Sequence, residues 1–153
     1  MKIIRVSKIK KKNFHSIEDI KLNYSHIFKI RITRKLHNDF SFLSGDKSPI
    51  HSNLNFCKRN GYKNIVGYAF LITCILSKIY GMYFPGGTEL CLKQTCNFKR
   101  PFFIKDTLKI FIKVIQKNIS AKLITVSVVI KNQNKKVIFD GETIFQLKLN
   151  EIK

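Results

Sequence analysis

The sequence contains few of the residues that are typical of disordered or fibrous chains. Its 153 residues include only seven glycines and three prolines, 44% are hydrophobic, and no low-complexity run interrupts them. Such a composition excludes a disordered or collagen-like protein. A chain of this length is expected to form one domain, and it can fold without a metal or a disulfide bridge.

A signal peptide and a long apolar run are also missing. The amino terminus, MKIIRVSKIKKKNF, is basic but has no apolar core. The longest apolar stretch, 65–76, is shorter than the ~20 residues that span a bilayer. We therefore expect a cytoplasmic protein with no membrane span, in which residues 1–16 form a flexible basic arm and residues 17–153 a single domain.

Motifs for metals and phosphate loops are missing as well. The four cysteines, at positions 57, 74, 91 and 96, form no Cys-x-x-Cys pair and have no zinc-ligand spacing to a histidine. We predict that they are reduced and mostly buried, and we predict no metal site. Gly86-Gly87 lacks the Lys-Ser/Thr that a phosphate-binding loop requires.

Negative charge is scarce, since 9 acidic residues face 29 basic ones and the formal net charge is +20. Such an excess is typical of nucleic-acid-binding proteins. However, only five of the 29 are arginines, the residue that makes bidentate contacts to phosphates and bases. The high Lys, Ile and Asn content also fits A/T-rich codon usage. A nucleic-acid-binding module is therefore the less favoured alternative, although the surface should attract acidic partners in either case.

The hydrophobic pattern predicts an α+β domain. It indicates a strand over 24–32, a helix over 34–43, and a second helix over 49–59 that Ser48 caps and Pro49 begins. Residues 65–80 are apolar on every face, which favours a buried helix capped by Asn64, although a strand pair stays open. Four antiparallel strands then begin near Leu90, Leu108, Lys122 and Val137, with a bulge at Asp140-Gly141. One sheet should wrap around the long central helix.

The densest group of reactive side chains surrounds Asp46 and His51. Asp46 lies in the loop before the Ser48-Pro49 helix start, and His51 lies in the first turn beyond it, so the two side chains can converge. The helix dipole favours an ionised Asp46 and a neutral His51, which suits a pair for general acid–base catalysis. From these two residues alone, a turn-stabilising aspartate and a structural histidine are the favoured interpretation.

The string Ser44-Gly45-Asp46-x-x-Pro49-Ile50-His51, preceded by Phe40 and Leu43, resembles the signature of MaoC-like (R)-specific enoyl-CoA hydratases and dehydratases, which have the hotdog fold. The segments Gly81-Met-Tyr-Phe-Pro85-Gly86 and Asn97-Phe98-x-x-Pro101-x-x-x-x-Asp106-Thr107-Leu108 resemble the same family. Together the matches span residues 24–148. Several short matches in the same order are more specific than one motif.

The resemblance implies a hydro-lyase that acts on a trans-2-enoyl or (R)-3-hydroxyacyl thioester of CoA or acyl carrier protein. Asp46 and His51 would flank the water that is added or removed, and Ser44, Ser48 and Pro49 would order the loop and bind substrate. A backbone N–H of Gly67 or Tyr68 would bind the oxyanion. The resemblance also implies a homodimer and no cofactor.

Three positions depart from the family pattern. Ser48 replaces the usual asparagine, Lys105 replaces a glycine, and the glycine of the central helix, Gly67, comes one residue early, before Tyr68. Because of the Gly67-Tyr68 order, a catalytically altered or thioesterase-like hotdog protein stays open as an alternative. The acyl chain length, the carrier and the direction of the reaction are left open.

Overall fold

The computed structural model describes residues 3–5, 17–87 and 89–147. Its elements in chain order are β1 (Ile3–Arg5), β2 (Ser25–Arg31), α1 (Arg34–Ser44), α2 (Pro49–Ser52), α3 (Leu54–Arg59), α4 (Ala69–Met82), β3 (Glu89–Gln94), β4 (Asn97–Phe98), β5 (Thr107–Asn118), β6 (Leu123–Lys131) and β7 (Val137–Leu147). The antiparallel sheet has the order β1-β2-β5-β6-β7-β3, and β4 pairs with β7. The predicted α+β architecture is confirmed.

Helix α4 is the centre of the core. Its buried side chains are Leu71, Ile72, Ile75, Leu76, Ile79 and Tyr80. They share one hydrophobic cluster with the alternate, inward-facing residues of β5 and β6, which are Leu108, Ile110, Ile112, Val114, Ile124, Val126, Val128 and Ile130. Burying one such aliphatic side chain contributes about 1.5–3 kcal/mol. The period-two pattern of these strands therefore fixes which face of the sheet covers α4.

The predicted start of the central helix is wrong by four residues. Helix α4 begins at Ala69, and Tyr68 is its N-cap. Residues before it contact a neighbouring segment instead of continuing the helix: Val66 forms a β-bridge with Phe103, and Gly67 donates its N–H to the carbonyl oxygen of Phe102 at 2.7 Å. Asn64 bonds only the next backbone N–H, through its side-chain oxygen, at 2.8 Å.

The predicted helix over 49–59 is split at Asn53. This residue has an extended backbone, and its side-chain oxygen accepts a hydrogen bond from Phe56 N at 2.9 Å. Asparagine favours such a capping role over a place within a helix, because its side chain competes for nearby backbone groups. The break leaves α2 as a separate four-residue helix that carries His51.

Strand β3 does not lie beside β5, the next long strand of the chain, but pairs with β7 at the end of the sheet. The predicted bulge at Asp140-Gly141 is wrong, because both residues pair in register with β6, and the irregularity lies at the Ile130/Lys131 end. Gly141 has another role: a Cβ there would overlap the carbonyl oxygen of Thr95, which follows β3 and crosses closely over β7.

Part of the predicted flexible arm is a strand. Residues Ile3–Arg5 pair antiparallel with Phe28–Ile30 of β2. Without β1, these β2 backbone groups would be an unpaired sheet edge, and an extended segment can satisfy their hydrogen bonds. The remainder of the arm, residues 1–2 and 6–16, lies outside the described residues, as do residues 88 and 148–153.

The cysteines are unpaired, but the prediction that most are buried is wrong. Only Cys57 is buried, whereas Cys74 and Cys91 are exposed and Cys96 is half-buried. Cys74 lies in the apolar helix α4, yet it is on the side that faces away from the sheet. An apolar stretch on one helix can therefore place individual thiols at the surface.

Three lysines form a row across the outer face of the sheet. Lys109 of β5 lies directly opposite Lys29 of β2 and Lys131 of β6. Like charges that face each other across strands destabilise a sheet.

We therefore expect Lys109→Glu to raise the free energy of unfolding by about 1 kcal/mol, because it turns two repulsive cross-strand pairs into attractive ones. Urea denaturation at low salt would measure the change. The matched control is Lys113→Glu, since Lys113 lies on the same strand opposite Ser25 and Ser127. An equal gain in both variants would show that net charge, and not the row, is responsible.

Candidate active site

A tight turn brings Asp46 and His51 together. Helix α1 ends at Ser44, its C-cap Gly45 has a φ of 73° that reverses the chain, and α2 begins at Pro49, four residues after Gly45. A left-handed backbone at this position favours glycine, since other residues rarely adopt it. Asp46 Oδ2 then lies 4.0 Å from His51 Nε2. The two predicted acid–base residues therefore face each other across a short gap.

The Asp46 carboxylate is held by the start of α2. Its Oδ1 accepts a hydrogen bond from Ser48 N at 2.9 Å, and its own N–H donates to Ser44 Oγ at 3.2 Å. Hydrogen bonds from the backbone N–H and the hydroxyl of Ser48 lower the pKa of Asp46. The carboxylate is thus ionised at neutral pH, and Oδ2 stays available on the side that faces His51.

The ring of His51 has a defined tautomer. Its Nδ1 lies 2.8 Å from the carbonyl oxygen of Val66. Because a carbonyl only accepts, Nδ1 carries the proton and the neutral ring keeps a free electron pair on Nε2. The side chain of His51 is 16% exposed and that of Asp46 is 44% exposed. One water molecule between Nε2 and Oδ2 could contact both groups.

Tyr68 is turned toward the Asp46 loop and not toward solvent. Its hydroxyl donates to the carbonyl oxygen of Asp46 at 2.7 Å, and its ring centroid lies 4.1 Å from that of His51. Tyr68 is only 2% exposed. Because the side chain of Tyr68 points inward, it does not cover the surface beside His51.

Gly67 is one of the two predicted donors to the oxyanion. Its backbone N–H, however, already donates to the carbonyl oxygen of Phe102. A Cβ at Gly67 would also overlap the Phe102 ring, so close packing accounts for the glycine. The remaining candidate donor is the backbone N–H of Tyr68, at the positive end of α4.

His37 has a role that the sequence pattern did not show. It is buried, and its Nε2 donates to the carbonyl oxygen of His51 at 2.8 Å. Desolvation lowers the pKa of His37, which keeps it neutral. The three-residue spacing to Phe40, which places both on one face of α1, was the available signal.

A cleft of about 280 Å³ opens beside His51. Its wall is largely apolar and includes Ala69, Ile72, Phe102 and Ile138, while Lys99 and Arg100 add two cations. Such a cleft suits a ligand with an apolar chain and an anionic group.

Lys105 keeps the backbone conformation of the glycine that it replaces in the family pattern. Its φ is 78°, and its N–H donates to Ile32 O at 2.8 Å. The next residue, Asp106, accepts a hydrogen bond from Phe103 N at 2.9 Å and thereby closes the turn. A lysine in this left-handed region costs about 1 kcal/mol, which the surrounding hydrogen bonds offset.

The chain is similar to known proteins in sequence and in fold. The 3-hydroxybutyryl-CoA dehydratase of Methylorubrum extorquens is 25% identical over 137 residues, which cover 88% of this chain and 85% of that protein. The (R)-specific enoyl-CoA hydratase of Aeromonas caviae is 24% identical over 108 residues, which cover 71% and 81% of the two chains. The unliganded R-hydratase PhaJ1 of Pseudomonas aeruginosa superimposes with a TM-score of 0.82 at 21% identity, covering 88% and 86%.

The chain has the hotdog fold and is similar to (R)-specific enoyl-CoA hydratases. The predicted fold and the predicted resemblance are both confirmed. No family model matches the sequence. The curated relatives are named as hydratases or dehydratases.

The described part of this hotdog domain has neither a metal-binding cluster nor a membrane-spanning helix. Among residues 17–87 and 89–147, no three His, Cys, Asp or Glu side chains are grouped so that they could hold a metal ion. Within the same ranges, no helix has the length and hydropathy needed to cross a bilayer.

Proposed function

We propose that the protein is a hydro-lyase that adds water to a trans-2-enoyl thioester or removes it from an (R)-3-hydroxyacyl thioester. The observation that carries the proposal is the 4.0 Å gap between Asp46 Oδ2 and His51 Nε2, in a ring whose Nδ1 bonds the carbonyl oxygen of Val66. The names of the relatives, a CoA dehydratase and an (R)-specific enoyl-CoA hydratase, support it. The reaction needs no cofactor, because an acid–base pair supplies both proton transfers.

In the proposed hydration, one water molecule lies between Asp46 and His51. The pair removes one proton from this water as its oxygen bonds to C3 of the enoyl group. The π electrons move toward C2 and the thioester carbonyl, and C2 then receives a proton from the pair. One water is consumed, and the pair returns to its starting protonation state. General acid–base catalysis of this kind contributes about 10²–10⁴ in rate.

The thioester oxygen gains negative charge during this step, and it needs a donor placed where the charge grows. We assign this role to the N–H of Tyr68 at the start of α4, because Gly67 already bonds Phe102. The acyl chain would lie against the apolar wall of the cleft. Lys99 and Arg100 would attract the phosphates of CoA or the acidic surface of a carrier protein.

A homodimer is part of the proposal. Large apolar side chains are exposed on α4, β3 and β4, namely Phe70, Met82, Leu90, Leu92 and Phe98. The rings of Phe70 and Phe98 lie 5.9 Å apart, so α4 and β4 contribute to one surface. Strand β3 lies at the end of the described sheet, where a second copy could pair with its backbone. Light scattering should give twice the mass of the chain.

An assay on crotonyl-CoA tests the reaction. We expect loss of the conjugated enoyl absorbance, formation of the (R)-3-hydroxy product on chiral chromatography, and no release of free thiol. Thiol release without hydration would favour the thioesterase-like alternative. If enoyl chains of several lengths, on CoA and on carrier protein, all remain unchanged, the proposal is wrong.

A further inference from the structure

We infer that Tyr68 is a positioning residue that holds Asp46 and His51 at their mutual distance. The inference rests on the proposed function, because it assigns Tyr68 a role in the geometry of the same pair. Neither the names of the relatives nor the family pattern assigns such a role, since the pattern has a glycine near this position. Tyr68 would not contact the reacting atoms through its side chain and would act through its two neighbours.

The first contact is a hydrogen bond to the Asp46 loop. The Tyr68 hydroxyl donates to the carbonyl oxygen of Asp46, and Ser41 Oγ donates to the same oxygen at 2.9 Å. Asp46 belongs to an exposed loop without regular secondary structure. A buried hydroxyl that donates to its backbone therefore restrains a segment that few apolar contacts hold in place.

The second contact is ring packing against two histidines. The ring of Tyr68 lies against that of His51, at a centroid distance of 4.1 Å and a tilt of 36°, and against that of His37, at 4.6 Å and 38°. His37 also donates to the backbone carbonyl of His51. The His51 ring is thus fixed by Val66 at Nδ1 and by Tyr68 on one ring face.

Tyr68 is attached to a rigid element of the fold. Tyr68 is the N-cap of α4, whose next turns are part of the hydrophobic core. One side chain therefore links a core helix to the aspartate through a hydrogen bond and to the histidine through ring packing. Sites in which well-packed residues hold the reactive groups are more precise than sites on loops alone.

The test compares Tyr68→Phe with Tyr80→Phe. Both tyrosines are buried, and Tyr80 also has a bonded hydroxyl, at 2.8 Å from Thr143 Oγ1. Tyr80 is about 18 Å farther along the α4 axis. The Asp46 pKa would be measured by carbon NMR of its side-chain carboxyl in the free protein, and kcat and KM would be measured on crotonyl-CoA.

In Tyr68→Phe we expect the Asp46 pKa to rise toward its ordinary value, because the loop loosens and the Ser48 hydrogen bonds weaken. We expect kcat to fall about tenfold with little change in KM, since small displacements of reacting groups reduce rate strongly. Tyr80→Phe should change neither quantity, although it can lower stability. A purely structural role for Tyr68 would affect stability alone.

An unchanged Asp46 pKa in Tyr68→Phe would overturn the inference. Equal changes in both variants would overturn it as well, because they would report a general loss of packing. The NMR measurement needs no substrate. If the parent protein lacked hydratase activity, the proposed function would fail, while a raised Asp46 pKa would still identify Tyr68 as the residue that positions this carboxylate.

Discussion

Asp46→Asn should reduce kcat on crotonyl-CoA by about 10²–10⁴-fold, the usual contribution of a general acid or base. The amide has the shape of the carboxylate, and its oxygen can still accept the hydrogen bond from Ser48 N. The loop should therefore keep its conformation. What the variant loses is the charge and the ability to exchange a proton with the water beside His51 Nε2. Steady-state kinetics with a circular dichroism spectrum would separate chemistry from folding.

Asp39→Asn is the matched control for this variant. Asp39 lies on α1, seven residues before Asp46, and pairs at the surface with Lys35 at 2.9 Å. An exposed ion pair of this kind contributes about 0.3–0.5 kcal/mol or less. We expect parental kcat in the control. If Asp46→Asn kept more than a tenth of the parental kcat, Asp46 would not be part of the acid–base pair.

Gly141→Ala should lower the free energy of unfolding by about 3 kcal/mol, at the upper end of the usual cost of overpacking. The new Cβ would overlap the carbonyl oxygen of Thr95. Backbone must move to relieve the overlap, because Thr95 is bonded to β7 by its N–H to Glu142 O at 2.8 Å and by its Oγ1, which accepts from Glu142 N at 2.8 Å. Denaturant unfolding would measure the loss.

Gly81→Ala, in contrast, should raise the free energy of unfolding. Gly81 lies in the last turns of α4, and a Cβ there would meet no atom within 4 Å. Alanine in place of a helical glycine stabilises a helix by up to about 1 kcal/mol.

A Gly141→Ala variant as stable as the parent protein would contradict the first of these two predictions. It would mean that the β3–β4 connection can shift away from β7 at little cost in free energy.

Elements whose burial alternates along the chain could be predicted from the sequence. In β5 the buried Leu108, Ile110 and Ile112 alternate with Lys109 and other less buried residues, so the pattern alone gave the strand and its inner face. The partner of β3 could not be predicted, because Leu90 and Leu92 are exposed and local periodicity does not encode which strand is the neighbour. The start of α4 was misplaced since long-range bonds to Phe102 and Phe103 replace the first helical turn.

The candidate site could be predicted only in part. The Asp46–His51 proximity follows from local signals, namely the turn at Gly45 and the helix start at Ser48-Pro49. The roles of His37 and Tyr68 depend on contacts between α1, α2 and α4, which are distant in sequence. No local pattern reports such contacts, so the sequence did not show that the side chain of Tyr68 faces the Asp46 loop.

The short helix that carries His51 has a consequence for how the protein responds to heat. Helix α2 has four residues, none of them buried. Its Ile50 packs against a small cluster of three buried residues and accepts a hydrogen bond from Val66 N at 3.2 Å. Segments with few apolar contacts open locally at a free energy well below that of global unfolding. The protein should thus lose activity at a lower temperature than that at which the sheet melts. A substrate bound in the cleft should bring the inactivation temperature closer to the melting temperature.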